Sequence, residues 1–344
     1  MTFKRAVGNT WKTLVWPVAI YVLFLILTRV FSTQTVFGNL SSLDSIAKQA
    51  LLSALIALAM ACNMINDRWD FSMGIICVTT SFIVTPIVKA IGEPIIEANP
   101  TAVSPSFVLL VLCIVVCMLL CMINAALYLI FKIPTLVISI GLMLIYETIE
   151  RVANDGAGAK FSGLNYTFFG RSPWIYVLAI AAMLIFFVIF TYTKFGYNVR
   201  SLGYNQGVAN NIGVNEKKNV ILSYLLCGFI LGIASCVNVS LKGSIEASST
   251  FNNNMGMMFT AFPAVFIGLY LSKYTNFTLG VFIGAFCIKM MTAGILALGL
   301  PSAVQDIGVG LFLFLFIALT TNQSRFFDAK NRRAAMKAAK ASQK

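Results

Sequence analysis

PSFVLLVLCIVVCMLLCMINAALYLIF, residues 105–131, runs for 27 residues without a charge. At 1.5 Å per residue a helix of this length rises about 40 Å, more than the ~30 Å hydrocarbon core of a bilayer. Lipid offers the backbone no hydrogen-bond partner, so such a run folds as a helix that pairs its own amides. Similar runs recur along all 344 residues. With about 20 apolar residues needed per crossing, ten spans are predicted. They lie at 14–31, 47–65, 71–90, 105–131, 134–152, 173–193, 219–241, 256–272, 277–298 and 303–321. NDRWD, Asn66 to Asp70, is the thinnest break between two of them.

Composition agrees. Mean hydropathy is +0.86 and only 11% of residues are charged, where an ordinary soluble domain has about 25%. That excludes a soluble globular protein and leaves an all-α polytopic membrane protein. The net charge of +13 reads as topology rather than nucleic-acid binding, because the bases cluster. Three precede the first span, Arg68 and Lys132 sit in short connections, four lie in 194–218, Lys273 follows the eighth span and seven follow residue 321. The alternate connections hold Lys160, Arg171 and Lys242. The positive-inside rule then places both termini in the cytoplasm. No small-residue cleavage pattern follows Lys4, Arg5 and Lys12, so 14–31 is expected to be retained as a span. Residues 1–321 form the expected membrane domain, and 322–344 a basic, Ala-rich cytoplasmic tail suited to anionic lipid.

Histidine is absent, which removes His-based triads and the commonest zinc ligand. The eight cysteines all fall in apolar runs. Cys113, Cys117 and Cys121 repeat every four residues without nearby acids, which suits small buried hydrophobes rather than a metal site. No phosphate-binding Gly-rich loop ending in Lys-Ser/Thr and no nucleophile elbow occurs. The chain is therefore expected not to be an enzyme, and to draw any ATP energy from a separate subunit.

Intramembrane polar groups are costly and point to function or to helix–helix bonding. Asn63, Asn66, Asp70, Ser72, Ser235 and Asn238 are the candidates for a polar solute path, with Asn124 and Ser240 among further interruptions of apolar helices. Glu147 and Arg151 are spaced to pair along one helix. Lys289 and Asp306 are expected to neutralise each other. Gly228 with Gly232, and Gly280 with Gly284, give two GxxxG patterns suited to close helix packing.

The longest internal cytoplasmic connection is 194–218. At its centre Asn205 suits an N-cap, Val208 and Ile212 share a face, and Gly213 suits a stop. A two-turn helix is marginal alone in water, so a partner or a solvated turn are the two readings.

Three stretches resemble the permease subunits of bacterial ABC importers of the ribose, galactose and xylose class. RWDFSMG, Arg68 to Gly74, resembles a Gly-Ile-Asp-Leu-Ser-Val-Gly signature through Asp70, Ser72 and Gly74. KIPTLVISIGLM, Lys132 to Met143, resembles the segment that opens the fifth span. FGYNVRSLGYNQGVANNIGVNEKKNVILSYLLCGFILGIAS, Phe195 to Ser235, resembles the loop and seventh span. The chain departs from the pattern in MFTAFPAVFIGLYLSKYTNFTLG, Met258 to Gly280, which lacks paired glycines, and in the Asn-rich SIEASSTFNNNMG, Ser244 to Gly256. Pro263 is expected to bend its span.

The resemblance implies a coupling helix between spans six and seven, carried here by Asn205, Val208, Ala209, Ile212 and Gly213. It implies cytoplasmic ABC ATPase subunits that hold ATP and Mg, none of it on this chain. It also implies a second permease copy or a paralogous permease, and an extracytoplasmic solute-binding protein. The expected function is import of a neutral monosaccharide through the bacterial inner membrane. A nucleoside or other small polar solute is the second reading, and a stand-alone secondary transporter the third.

Overall fold

The computed structural model describes residues 3–31, 36–153, 158–161, 163–246 and 255–321. The expected tail after residue 321 and most of the Asn-rich segment lie outside the described residues. Among the described residues there are thirteen α-helices. They are α1 Phe3–Phe31, α2 Leu40–Ile65, α3 Met73–Ala98, α4 Ser104–Phe131, α5 Thr135–Val152, α6 Leu164–Thr167, α7 Trp174–Tyr192, α8 Lys194–Tyr204, α9 Gln206–Asn211, α10 Glu216–Lys242, α11 Met255–Leu271, α12 Phe277–Ala297 and α13 Ser302–Thr321. Two-residue strands β1, Ala159–Lys160, and β2, Ser244–Ile245, pair antiparallel.

Seven helices are long and apolar enough to cross a membrane: α1 from Thr13, α2, α3, α4, α7, α10 and α12. Helix α5 carries Glu147, Glu150 and Arg151 within 18 residues. In α11 and α13 the apolar stretches, Gly256–Leu271 and Ala303–Leu315, are shorter. A described helix overlies each of the ten predicted segments, but α1 starts eleven residues early at Phe3, α2 seven residues early at Leu40, and α3 continues to Ala98 through Pro86 and Pro94. NDRWD is a true break, since α2 stops at Ile65 and α3 starts at Met73. Helix α11 runs without interruption through Pro263.

Caps fix several ends. Asn39 Oδ1 accepts the Ser41 amide at 3.2 Å to start α2, and Asn215 Oδ1 accepts the Lys218 amide at 3.0 Å to start α10. These bonds satisfy amides that the first helical turn leaves open. Helix α10 ends at Gly243, whose φ of +70° is left-handed.

Helices α2 and α10 form the centre. In α2 every residue from Ala50 to Asn63 is buried, and α10 is buried almost throughout from Leu226 to Ser240. All-round burial marks a bundle core rather than a lipid-facing stripe. Helix α10 lies against α4 where a Cβ on Gly228 would come within 2.6 Å of Met118 Cα and one on Gly232 would overlap Ile114. Helix α12 meets α11 equally closely, with a Gly280 Cβ placed 2.9 Å from Gly268 O and a Gly284 Cβ 3.0 Å from Ala264 O. Both GxxxG pairs thus sit at backbone contacts, where dispersion gain comes from close approach.

Helix α1 is the most peripheral, with only 17% of its apolar window buried. It rests on α12, with the Phe24 ring against Gly294, in a separate cluster that includes Phe37, Ile288, Met291, Ile295 and Val309.

The bundle has two ends. The 66–72 break, α8 and α9 and the start of α10 share one, here termed the basic end. The Arg68–Glu216 ion pair joins them at 2.8 Å, and Gly203 lies directly on the Ile65 carbonyl. The far end gathers β1, β2, α6 and the 3-10 turn Phe168–Gly170. There Phe161 N donates to Gly243 O at 2.7 Å, and Gly170 sits on the Ser240 carbonyl.

Candidate functional site

At the basic end, the segment expected to be a loop is helical from Lys194. Thr193 caps α8 by accepting the Gly196 amide at 3.4 Å, and Gly196, Val199 and Leu202 turn inward. Sequence reading missed α8 because its apolar positions are few and its glycines argue against a helix. Gly196 and Gly203 are needed for contact instead: the first abuts the Phe190 carbonyl, the second the Ile65 carbonyl. A side chain at either position would hold the segment off the bundle.

Asn205 then breaks α8 from α9. Its backbone is extended, and its Oδ1 accepts the Val208 amide at 3.0 Å. Gly213 stops the turn with φ +92°, a region that favours glycine. Val208 and Ile212 are 56% and 71% exposed, while Ala209 is 1% exposed. The outward face is therefore Tyr204, Val208 and Ile212, beside a groove of about 410 Å³ that Arg200 and Tyr197 also line. Ala209 packs inward and anchors α9, while also lining that groove beside Val208 and Ile212.

The start of α10 ties α9 to the 66–72 break. Glu216 accepts a hydrogen bond from Arg68 Nη2 at 2.8 Å and another from Tyr128 OH at 3.3 Å, and Gln206 of α9 lies beside it. The guanidinium also lies 5.1 Å from the Tyr128 ring centroid. A buried charge needs such partners.

Two residues further on, Asp70 enters a second network. Its Oδ1 accepts the Ser72 amide at 2.9 Å and the Ser72 hydroxyl at 2.6 Å. Its Oδ2 accepts the Asn124 amide at 2.9 Å. Tyr224 of α10 lies beside the carboxylate. Tyr146 OH of α5 donates to Asn124 Oδ1 at 3.2 Å. One buried carboxylate thus joins α3, α4, α5 and α10 through neutral donors. Asn124 was visible in the sequence only as a polar interruption; Tyr146 and Tyr224 gave no signal, because tyrosines in apolar spans are common.

A large cavity of about 830 Å³ lies towards the far end between α2, α10, α11 and α12. Ser45, Gln49, Ser53, Asn238 and Thr260 supply polar groups, and Lys48, Lys242 and Lys289 supply cations. Of the six path candidates only Asn238 lines it. Asp70 and Ser72 are consumed by the network above, and Ser235 donates to Cys77 O at 2.8 Å. Asn63 and Asn66 are buried by the 66–72 break, with side-chain amides that make no hydrogen bond within the protein. Polar residues spread along several helices share no register signal, so the sequence alone does not show which of them converge.

Of the two expected ion pairs, one forms. Arg151 Nη2 pairs with Glu147 at 3.7 Å along α5 as expected, and Thr79 donates to Glu150 at 2.8 Å. Asp306 is exposed, and among the described residues no ion pair joins it to Lys289, which faces the cavity instead. Cys113, Cys117 and Cys121 are wholly buried on α4, with Thr80 Oγ1 3.1 Å from Cys117 Sγ.

A family model described as the permease component of branched-chain amino acid transport systems matches residues 42–319, from α2 into α13. The chain belongs to that permease family. The permease is 23% identical over 317 residues to the galactose/methyl galactoside import permease protein MglC of Escherichia coli K12, across 87% of this chain and 92% of the relative. It is 20% identical over 340 residues to the ribose import permease protein RbsC of the same strain, across 94% and 100% of the two chains. Over 191 residues it is 26% identical to the galactofuranose transporter permease protein YtfT, also of that strain, covering 54% and 55%. No solved structure matches the permease. It is a multi-pass membrane protein, and its relatives are transport subunits.

Proposed function

We propose that this permease is the membrane subunit of an ATP-driven importer that carries a sugar-class solute into the cytoplasm. The observation that carries the reading is the family match across 42–319, which includes a capped two-turn helix presenting Val208 and Ile212 to solvent. The names of the full-length relatives, galactose and ribose import permeases, support the solute class and the direction.

In this reading all ten long helices span the inner membrane and both termini are cytoplasmic, with 1–321 as the membrane domain and 322–344 as a basic tail. The basic end faces the cytoplasm. ATP and Mg belong to a separate ATPase that docks on α9. Closing of that ATPase moves α9, and the Gln206–Glu216–Arg68 contacts carry the motion to the 66–72 break. The Asp70 network then couples the break to α4, α5 and α10 as one body. A second permease, identical or paralogous, completes the path, and an extracytoplasmic binding protein delivers solute at the far end.

Affinity purification of the tagged chain from its native membranes, with Mg-ATP hydrolysis measured in the eluate, tests this. Hydrolysis is expected with the unaltered chain and its loss with Val208→Arg. Solute uptake by sealed vesicles without ATP and without any captured ATPase would favour a stand-alone transporter instead.

A further inference from the structure

We infer that the far-end cavity is a solute site for an anionic, hydroxylated molecule, a sugar acid or a sugar phosphate. This rests on the importer reading and departs from the neutral sugar expected from the sequence. Lys289 lies twelve residues into α12, roughly 18 Å along the helix axis, well inside any bilayer. An ammonium at that depth is costly and is normally directed at a partner or at water. Among the described residues Lys289 has no carboxylate within ion-pair distance. Its side chain lines the 830 Å³ cavity instead.

The surrounding charges do not neutralise it. Lys48 is already paired with Asp44, at 2.6 Å. Lys242, on the cavity wall from α10, adds a second cation whose field opposes that of Lys289. Glu246 lies beyond Ile245 on the exposed rim, and Asp306 of α13 is exposed; neither lines the cavity. Lys289 and the solvent-exposed Lys242 give the hollow a positive lining that attracts an anion.

The remaining wall suits hydroxyl groups. Asn238 is fully buried, and neither its Oδ1 nor its Nδ2 has a protein partner. A buried amide left open in this way implies water or a ligand. Ser45, Gln49, Ser53 and Thr260 extend the same polar lining. The volume falls in the range of about 300–1,000 Å³ usual for small-molecule sites. The lysines would hold a carboxylate or phosphate, and Asn238 with the hydroxyl side chains would bind the sugar hydroxyls.

The test uses the full chain in lipid nanodiscs, with equilibrium binding of labelled D-galacturonate, galactose 6-phosphate, D-galactose and inorganic phosphate. At least one acidic sugar is expected to bind more tightly than galactose. In Lys289→Gln that binding should weaken about ten- to a hundredfold, the loss of one charge-assisted hydrogen bond, while galactose binding is unchanged. Lys289→Arg should retain the preference, and Asn238→Leu should weaken all sugars alike. Monodispersity in size-exclusion chromatography controls for folding. Equal binding of galactose and the acids, or indifference to Lys289→Gln, would overturn the proposal. So would no sugar binding at all. Inorganic phosphate binding as well as either acidic sugar, or competition by anionic lipid in the disc, would assign the lysines to headgroups and also overturn it. A fall from dimer to monomer in Lys289→Gln with acid binding intact would give the lysine to a subunit interface. The ATPase capture described above is independent of these outcomes, so failure of the anion site leaves the importer reading standing.

Discussion

Asp70 is a buried carboxylate whose hydrogen-bonding groups are amides and hydroxyls rather than a cation. Each donor satisfies a buried carboxylate oxygen, so removing one leaves that oxygen without a partner. Asn124→Leu is expected to destabilise the permease by about 1–3 kcal/mol, read as a lower unfolding temperature in detergent. Tyr146→Phe, which removes a hydroxyl shared between Asn124 Oδ1 and the Leu120 carbonyl, should cost less; an equal loss in the two variants would separate Asn124 from the carboxylate's support. Arg68 poses a different question, because its partner Glu216 also lies beside Gln206 of α9. Arg68→Gln is expected to leave ATPase capture intact and to lower ATP-driven uptake several-fold, since the ATPase would still dock but its motion would stop at α10. Loss of capture together with uptake would instead assign Arg68 to the docking surface.

Among the elements, α9 is short enough to be unstable alone, and it is held by one inward residue and two caps. Ala209→Arg would therefore disrupt the fold as well as any docking, since Ala209 is buried. Val208→Arg and Ile212→Arg change only the outer face and are expected to abolish ATPase capture with an unchanged unfolding temperature. The α10–α4 contact is set by glycine: Gly228→Leu must displace Met118 backbone, and overpacking of this kind costs about 1–3 kcal/mol. Aggregation of that variant in detergent is the expected outcome. These elements also show what a sequence can reveal. The ten long helices and the Asn205–Gly213 cap pair were legible, because hydropathic length and turn chemistry are local properties. Helix α8 was not, because its glycines serve contacts with residues that are distant in sequence. The cavity was not, because Lys48, Asn238 and Lys289 meet only after three helices pack, and Lys289 by itself read as half of an ion pair with Asp306.

For the whole molecule, orientation is the property most open to direct measurement. All eight cysteines are buried, so a membrane-impermeant thiol reagent should find little background. In right-side-out vesicles Ser244→Cys, at the exposed far end, is expected to label and Val208→Cys to stay unlabelled until the vesicles are opened. The reverse pattern would invert the topology and with it the direction of transport. A second consequence at this scale comes from the outlying position of α1, which rests mainly on α12. The family match begins at residue 42, after α1 has ended. During synthesis α1 leaves the ribosome long before Gly294, the residue on which Phe24 rests. At about 5–20 residues per second that interval is on the order of 10–50 s. Helix α1 must therefore wait in lipid, inserted but undocked, until its partner arrives. A crowding insertase or a neighbouring nascent chain has that long to occupy its exposed flank, which makes the α1–α12 seam the place where quality control of this permease would first have something to inspect.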